Sequence, residues 1–517
     1  MVPAVSASRK SRICAISLCC VALFAAFLGF FSARWFVSVY GRIGFDSILY
    51  TLNSSLGGVE PELLMGYLLK ALLPCVVSTA LVIYLAFFRP RKKQGKYEGG
   101  QRRLTGPVLL CVLLALILLC IAAFDCELAD YIADQLSDSP LYETYYADPD
   151  SVKITFPENK RNLIYIMLES METSYLSKEL GGAMEENLIP ELYDLAAENL
   201  CFSNSKAPVG GYHTTAGATW TVGSMVAQTA GIPLKTPTED VNKYGTQGEA
   251  FLPGVTTLTN ILHDAGYTQA LMVGSDIRFG GRDAYFSQHD MDEILDIYTA
   301  RKDGIIPKDY FVWWGMEDLH LFEYAKQKID ILSKNAEPFA FTMLTVDTHH
   351  VGGYQCELCE ESVSGETYDQ SISCSSRQVA DFVEWIQAQP FYENTTVIIV
   401  GDHESMDNGY FERMVEEDYQ RMIYNCFINP AAKAMRKTGR QWAAIDLFPT
   451  TLASIGCTIE GNRLGLGTNL FSGQVTLCEK YGFEVLNDEL GKSSDYYEKN
   501  FWNYTNPRLA RVGDLFL

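Results

Sequence analysis

Beyond residue 103 the chain is poor in basic side chains: residues 104–517 carry 28 Lys and Arg against 59 Asp and Glu. That imbalance excludes a nucleic-acid partner, which needs basic surface to displace counterions. Histidine is scarce, seven in 517 residues, and no internal repeat or low-complexity tract breaks up the sequence. Charge is absent from Ile13 to Ala33 and from Leu104 to Phe124, and Leu63 to Phe88 has only Lys70, placed to snorkel outward. Each stretch is long enough to span a bilayer, which takes about 20 residues. The first lacks a clean small-residue cleavage site before Arg34 and Trp35, so it reads as a retained span rather than a removed leader.

Residues 43–62 contain no basic side chain, only Asp46, Glu60 and Glu62. The start carries Arg9, Lys10 and Arg12, and the second intervening loop carries Arg89, Arg91, Lys92, Lys93, Lys96, Arg102 and Arg103. The positive-inside rule therefore puts the N-terminus and residues 89–103 in the cytoplasm, and everything after Phe124 outside. Eight cysteines fall outside the spans, an even number that permits disulfides in an oxidising compartment. A bridge is expected among Cys356, Cys359 and Cys374, which punctuate a polar stretch with little core; a zinc knuckle is the rival, without an evident fourth ligand.

The sequence divides into a transmembrane region (1–125), a juxtamembrane linker (126–160) with an amphipathic helix around Leu128–Leu136, a domain at 161–475, and a C-terminal extension (476–517). From Asn162 short apolar runs alternate with helical periods, the pattern of an α/β fold. Four runs end in polar residues. Leu163–Leu168 leads to Glu169-Ser170, Thr268–Val273 to Gly274-Ser275-Asp276, Phe339–Val346 to Asp347-Thr348-His349-His350, and Thr395–Val400 to Gly401-Asp402-His403. Such strands are buried and parallel, and their carboxyl ends line one crevice. Carboxylates beside imidazole suit a divalent metal, one giving hard oxygen and the other a borderline nitrogen.

A nucleophile candidate lies in the small, hydroxyl-rich segment from Gly210 to Met225, which becomes helical through Ala230. A hydroxyl at a helix start sits among free backbone N–H groups that favour an alkoxide and attached phosphoryl oxygens. The segment offers several threonines, Thr219 and Thr221 among them, and its composition leaves the choice between them open.

These residues carry a resemblance to the alkaline phosphatase/sulfatase superfamily, and within it to the membrane phosphoglycerol transferases and lipoteichoic acid synthases. It rests on Leu168-Glu169-Ser170, Trp220-Thr221-Val222-Gly223-Ser224-Met225, Asp347-Thr348-His349-His350, Val400-Gly401-Asp402-His403, and Asp446-Leu447-Phe448-Pro449 with Arg463-Leu464-Gly465. The resemblance implies an α/β/α sandwich with a mostly parallel central sheet behind a three-helix transmembrane region. It implies a metal held by Glu169, Thr221, Asp402 and His403, manganese with zinc or magnesium as alternatives. Thr221 becomes the nucleophile, His349 a proton carrier and substrate contact, and Arg282 and Asp276 substrate-binding residues. Two departures stand out: Gly280 replaces the tryptophan that the synthases place two residues before the arginine, and three spans replace their usual five. No Cys/Ser-x-Pro-x-Arg motif occurs, which argues against sulfate-ester hydrolysis, and seven histidines are too few for a full second metal site.

The expected activity is transfer of phosphoglycerol from phosphatidylglycerol to an envelope glycan or polyglycerolphosphate acceptor, at the outer face of a bacterial cell membrane. A phosphoethanolamine transferase, a phosphodiesterase or phosphatase, and a silent envelope-binding protein are the rivals.

Overall fold

The computed structural model describes residues 9–40, 45, 48–49, 61–89, 104–235, 250–361 and 364–502. Most of the basic loop, the acidic stretch before the second span and residues 503–517 lie outside the described residues. The described residues from 9 to 45 and 61 to 132 form one compact unit, and those from 133 to 502 another.

The first unit has three helices long and apolar enough to cross a membrane: Lys10–Val39, Leu64–Phe88 and Thr105–Asp125. Within the second, Pro74 opens the α-helical segment Leu73–Ile83 and follows a π turn, Leu68–Leu72. The missing N–H and ring bulk of proline are absorbed by that wider turn. Leu23, Ala26 and Phe27 pack with Cys75, Phe87, Cys111, Ala115 and Leu118. Leu18, Val21, Leu69, Val77, Leu109 and Leu116 point outward instead. An apolar exterior around satisfied helical backbone is what a bilayer accepts.

The second unit is built on seven strands: β1 (Asn162–Leu168), β2 (Gly211–Tyr212), β3 (Thr268–Val273), β4 (Glu293–Leu295), β5 (Phe339–Leu344), β6 (Thr395–Gly401) and β7 (Ile423–Ile428). Their spatial order is β2-β7-β6-β1-β5-β3-β4, with the five strands from β6 to β4 parallel and β7 and β2 added antiparallel. Successive side chains feed opposite faces. Leu163, Tyr165, Met167, Ile398 and Val400 join a core with helices Thr221–Ala230 and Leu447–Ser454. Ile164, Ile166, Leu168, Val397 and Ile399 join one with Pro190–Glu198, Asp318–Leu332 and Thr367–Gln387. The result is the expected α/β/α sandwich.

Register positions the site. Leu168 of β1 pairs with Gly401 of β6, and Met167 with Leu344 of β5, so three parallel strands end level. The third run stops two residues before its apolar pattern does. There the Asp318 carboxylate accepts the backbone N–H groups of Val346 (2.7 Å) and Asp347 (3.2 Å), removing them from the ladder. Gly401 has to be glycine, because a Cβ would lie 2.1 Å from Met171 O.

Both flanks of the sequence-defined domain fold into this unit. Ser139 N donates to Ser493 O (2.9 Å), and Tyr142 packs edge-on against Tyr497 and Phe501. Leu477, Leu486, Leu490 and Phe501 belong to the main core. Phe501→Ala is expected to lower stability by about 3–5 kcal/mol, read as a fall in the unfolding midpoint of the detergent-solubilised chain. An unchanged midpoint would show that the segment is not part of the cooperative unit.

Candidate active site

The level strand ends bring Glu169, Asp402 and His403 together, with ligand atoms all within 4.8 Å of one another. All three are buried, at 2%, 1% and 1% exposure. Backbone groups fix them. Asp402 N donates to Leu168 O (3.0 Å), and Asp402 Oδ1 accepts from Ser170 N (2.8 Å) and from His403 N (2.7 Å). Ser170 takes a left-handed φ of 53° to aim that N–H, a conformation unusual for a residue with a side chain. Its hydroxyl donates to Glu169 Oε1 at 2.7 Å.

The donors left over face one another. His403 Nδ1 donates to Glu404 O (2.7 Å), since a carbonyl can only accept, which leaves Nε2 turned inward. Nε2 lies 3.3 Å from Asp402 Oδ2 and 3.7 Å from Glu169 Oε1. Asp402 Oδ2 is buried without a hydrogen bond among the described residues. A buried, unsatisfied carboxylate oxygen next to an imidazole lone pair and a second carboxylate fits a divalent cation in donor chemistry.

The electrostatics agree with that fit. Burial, then the neighbouring Glu169 charge, pushes the Asp402 carboxyl up to about 7. At Glu169 burial also acts upward, but His349 and His403 outweigh it and bring the carboxyl below its usual range. Burial opposes charge on His403, yet Asp402 and Glu169 overcome it and raise its pKa. A proton on Nε2 and a cation are thus alternative ways to neutralise the same cluster.

Thr221 opens the ten-residue helix Thr221–Ala230, and its Oγ1 lies 3.5 Å from Glu169 Oε2 and 3.4 Å from His403 Nε2. A buried polar chain ties this helix to the strands. Tyr165 OH donates to Gln228 Oε1 (2.8 Å), while Gln228 Nε2 reaches Ser224 Oγ (2.9 Å) and Gly401 O (3.2 Å). Ser224 Oγ in turn donates to Asp402 O. The nucleophile candidate and the carboxylate therefore share one frame.

The remaining predicted residues take distinct places. His349 is partly exposed and stacks on His350 (4.4 Å), and its Nδ1 donates to His350 O at 2.7 Å. Arg282 is buried at the start of helix Arg282–Gln288; its guanidinium donates to Phe279 O (3.0 Å), Ser275 Oγ (2.9 Å) and Asp276 O (2.6 Å). The Asp276 carboxylate pairs with Arg278 (2.7 Å) and accepts from Tyr298 OH (3.1 Å), so the backbone carbonyl is its link to Arg282. His213 is elsewhere, bonded to Gln441 (2.6 Å) and stacked on Phe483.

One neighbour was missed in the sequence. The Trp314 ring lies 4.5 Å from His349 and 5.5 Å from Phe279, and its buried Nε1 has no hydrogen-bond partner among the described residues. It comes from an irregular loop, where no periodicity marks a residue's direction, so the pair Trp313-Trp314 was the sole signal.

A family model described as Sulfatase matches residues 161–456. Phosphoglycerol transferase I of Salmonella choleraesuis is 29% identical over 442 residues, covering 83% of this chain and 53% of that protein. The Shigella flexneri protein of the same name is 29% identical over 440 residues, with the same coverage. The chain thus spans about half the length of the curated relatives it matches. Among solved structures, the lipoteichoic acid synthase LtaP of Listeria monocytogenes aligns with a TM-score of 0.48 at 16% identity, covering 64% of this chain and 80% of that one. The lipooligosaccharide phosphoethanolamine transferase A of Neisseria meningitidis aligns with a TM-score of 0.48 at 12% identity, covering 85% and 84%.

A divalent cation held by this cluster, at a hundredfold excess over its Kd, is expected to add about 2.7 kcal/mol to the unfolding free energy. Asp402→Asn should abolish the gain in the same thermal titration; equal shifts in both proteins would place the ion elsewhere.

Proposed function

The chain belongs to the sulfatase family, and on that premise we propose that it is a membrane-anchored, metal-dependent transferase. It moves phosphoglycerol from phosphatidylglycerol to a cell-envelope glycan or polyglycerolphosphate acceptor. The observation that carries this reading is the Thr221 hydroxyl, held at a helix start within 3.5 Å of both Glu169 and His403. The relatives named phosphoglycerol transferase I support the choice of transferred group. The absence of a Cys/Ser-x-Pro-x-Arg motif turns the reading away from sulfate esters.

Glu169, Thr221, Asp402 and His403 would hold the ion, manganese or alternatively zinc or magnesium, and the bound ion supplies positive charge that favours the Thr221 alkoxide and the phosphoryl oxygens. Thr221 Oγ1 attacks phosphorus, forming the Oγ1–P bond as the P–O bond to diacylglycerol breaks. With His403 Nε2 committed to the ion, the proton acceptor in reach is Glu169 Oε2. The departing diacylglycerol oxygen takes a proton from His349. A glycan or polyglycerol hydroxyl then attacks the glycerophospho-threonine, gives its proton to His349, and Thr221 recovers its own.

The His349 tautomer fits the second half-reaction directly. Nδ1–H is committed to His350 O and burial lowers the ring's pKa, so the neutral ring presents Nε2 as an acceptor. The proton captured from one acceptor is then available to the next diacylglycerol, closing a two-step cycle. Arg282 brings fixed positive charge for the phosphoryl oxygens, oriented by three backbone and hydroxyl acceptors that include Asp276 O. In this reading His349, Arg282 and Asp276 form the substrate-binding set. The three apolar helices anchor the enzyme at its lipid donor, with the N-terminus cytoplasmic and the catalytic unit outside.

Incubating the full chain with manganese and phosphatidylglycerol should leave a glycerophosphate adduct on Thr221, seen by peptide mass spectrometry. Thr221→Ala should show no adduct and lose at least about a thousandfold in rate. An adduct with phosphatidylethanolamine alone would reassign the donor, and one on Thr219 would reassign the nucleophile. No adduct with both lipids intact would sink the enzyme reading.

A further inference from the structure

The bridge expected among Cys356, Cys359 and Cys374 is not formed, and all three are free thiols. Cys356 Sγ lies 3.7 Å from Cys374 Sγ and 3.9 Å from Cys359 Sγ, and the three sulfurs all fall within 4.8 Å of one another. A tetrahedral zinc ion with Zn–S bonds of about 2.3 Å needs sulfurs about 3.8 Å apart. A disulfide would need two of them at about 2.05 Å and would strand the third. We infer that Cys356, Cys359 and Cys374 form a second metal site, a three-thiolate seat for zinc, separate from the carboxylate and imidazole cluster at the strand ends.

The local fold supports it. Cys356 and Cys359 form a C-x-x-C turn, closed by Cys359 N donating to Cys356 O at 3.1 Å, which is the usual two-ligand half of a structural zinc site. Cys374 arrives from the long helix Thr367–Gln387 and is buried. One turn on, Gln378 Nε2 donates to Cys374 Sγ (3.4 Å) and sits 3.8 Å from Cys356 Sγ. Such outer donors offset thiolate charge. No fourth His, Cys, Asp or Glu joins the group among the described residues. The fourth position falls to water, on the side where Cys359 is partly exposed.

The donor sets separate the two sites chemically. Thiolates select a soft ion such as zinc, whereas carboxylates and imidazole accept manganese or magnesium. The sulfur site also has structural work. The segment after His350 leaves Val351 and Leu358 exposed and is held by polar contacts: Tyr354 N to Asp347 O (2.7 Å), and Gly352 N to Asp407 Oδ2 (2.8 Å). A zinc ion would staple this segment to the helix, and so brace the turn carrying His349. The inference stands apart from the transfer reading, since neither its evidence nor its test uses phosphoryl transfer.

The test exchanges cobalt(II) into the detergent-purified full chain and records the near-ultraviolet spectrum. A sulfur-to-cobalt charge-transfer band is expected in the native protein and in Asp402→Asn. Cys374→Ser should lose it and bind one equivalent of zinc less per chain. A band that persists in Cys374→Ser overturns the site. So does a mass map of the native protein, alkylated before reduction, in which two of the three cysteines are joined. If Cys374→Ser does not fold, Cys359→Ser changes the most exposed ligand and should weaken zinc affinity at least tenfold; unchanged affinity overturns the proposal.

Discussion

Two carboxylates and an imidazole, each almost fully buried and all within 4.8 Å, form an arrangement that cannot stay electrostatically indifferent. Something positive has to sit among them. The protein spends its local geometry on keeping that need unmet from within: Asp402 Oδ1 takes two backbone N–H groups while Oδ2 takes none, and His403 donates outward through Nδ1 while Nε2 faces in. Much of the second unit follows from holding this cluster still. The Leu168↔Gly401 register sets the spacing of the carboxylates, the left-handed Ser170 supplies an N–H, and the Gln228 chain locks the Thr221 helix to the same strand end. Buried networks of this kind rigidify when fully satisfied.

A second acidic pair braces the other side of the crevice. The Asp318 carboxyl is pushed up to about 7 by burial, and Asp347 is raised by burial and then by Asp318 itself. Asp318 accepts the N–H groups of Val346 and Asp347, and Asp347 Oδ1 accepts Asp318 N at 3.1 Å. The strand is thereby cut short and turned, and His349 sits on the turn. The cysteine trio lies just beyond on the same connection, so this stretch is held at both ends by polar chemistry in place of apolar core.

The parts of this arrangement that could be read in the sequence are those governed by local pattern. The runs ending in Glu169, Asp276, His350 and His403 are strands, because buried parallel strands are short, continuously apolar and bounded by polar residues. Their parallel pairing then obliges their ends to meet. What could not be read depends on distant partners. The antiparallel strands β7 and β2 look no different in composition from the parallel ones, and only pairing assigns their direction. Residues 477–502 look like an appendage because the groups that receive them, around Ser139 and Tyr142, lie more than 300 positions earlier. The bridge expected among the cysteines of the polar stretch is not formed, for a geometric reason: Cys374 and Cys359 Sγ lie 3.7 and 3.9 Å from Cys356 Sγ, where a bridge needs a closer pair.

The same contrast bears on substrate choice. In the resemblance, an aromatic residue two positions before Arg282 would line the head-group pocket, and this chain has Gly280 there, with a left-handed φ of 69°. The sequence alone reads as the loss of a pocket wall. In the fold, Trp314 arrives from a separate loop and packs against both Phe279 and His349, its indole N–H without a hydrogen-bond partner among the described residues. A glycine with that backbone lets the chain turn sharply into the helix that carries Arg282. One loop, Val312 to Met316, thus supplies the aromatic ring beside His349, and a separate segment, Ser275 to Phe279, fixes the Arg282 guanidinium.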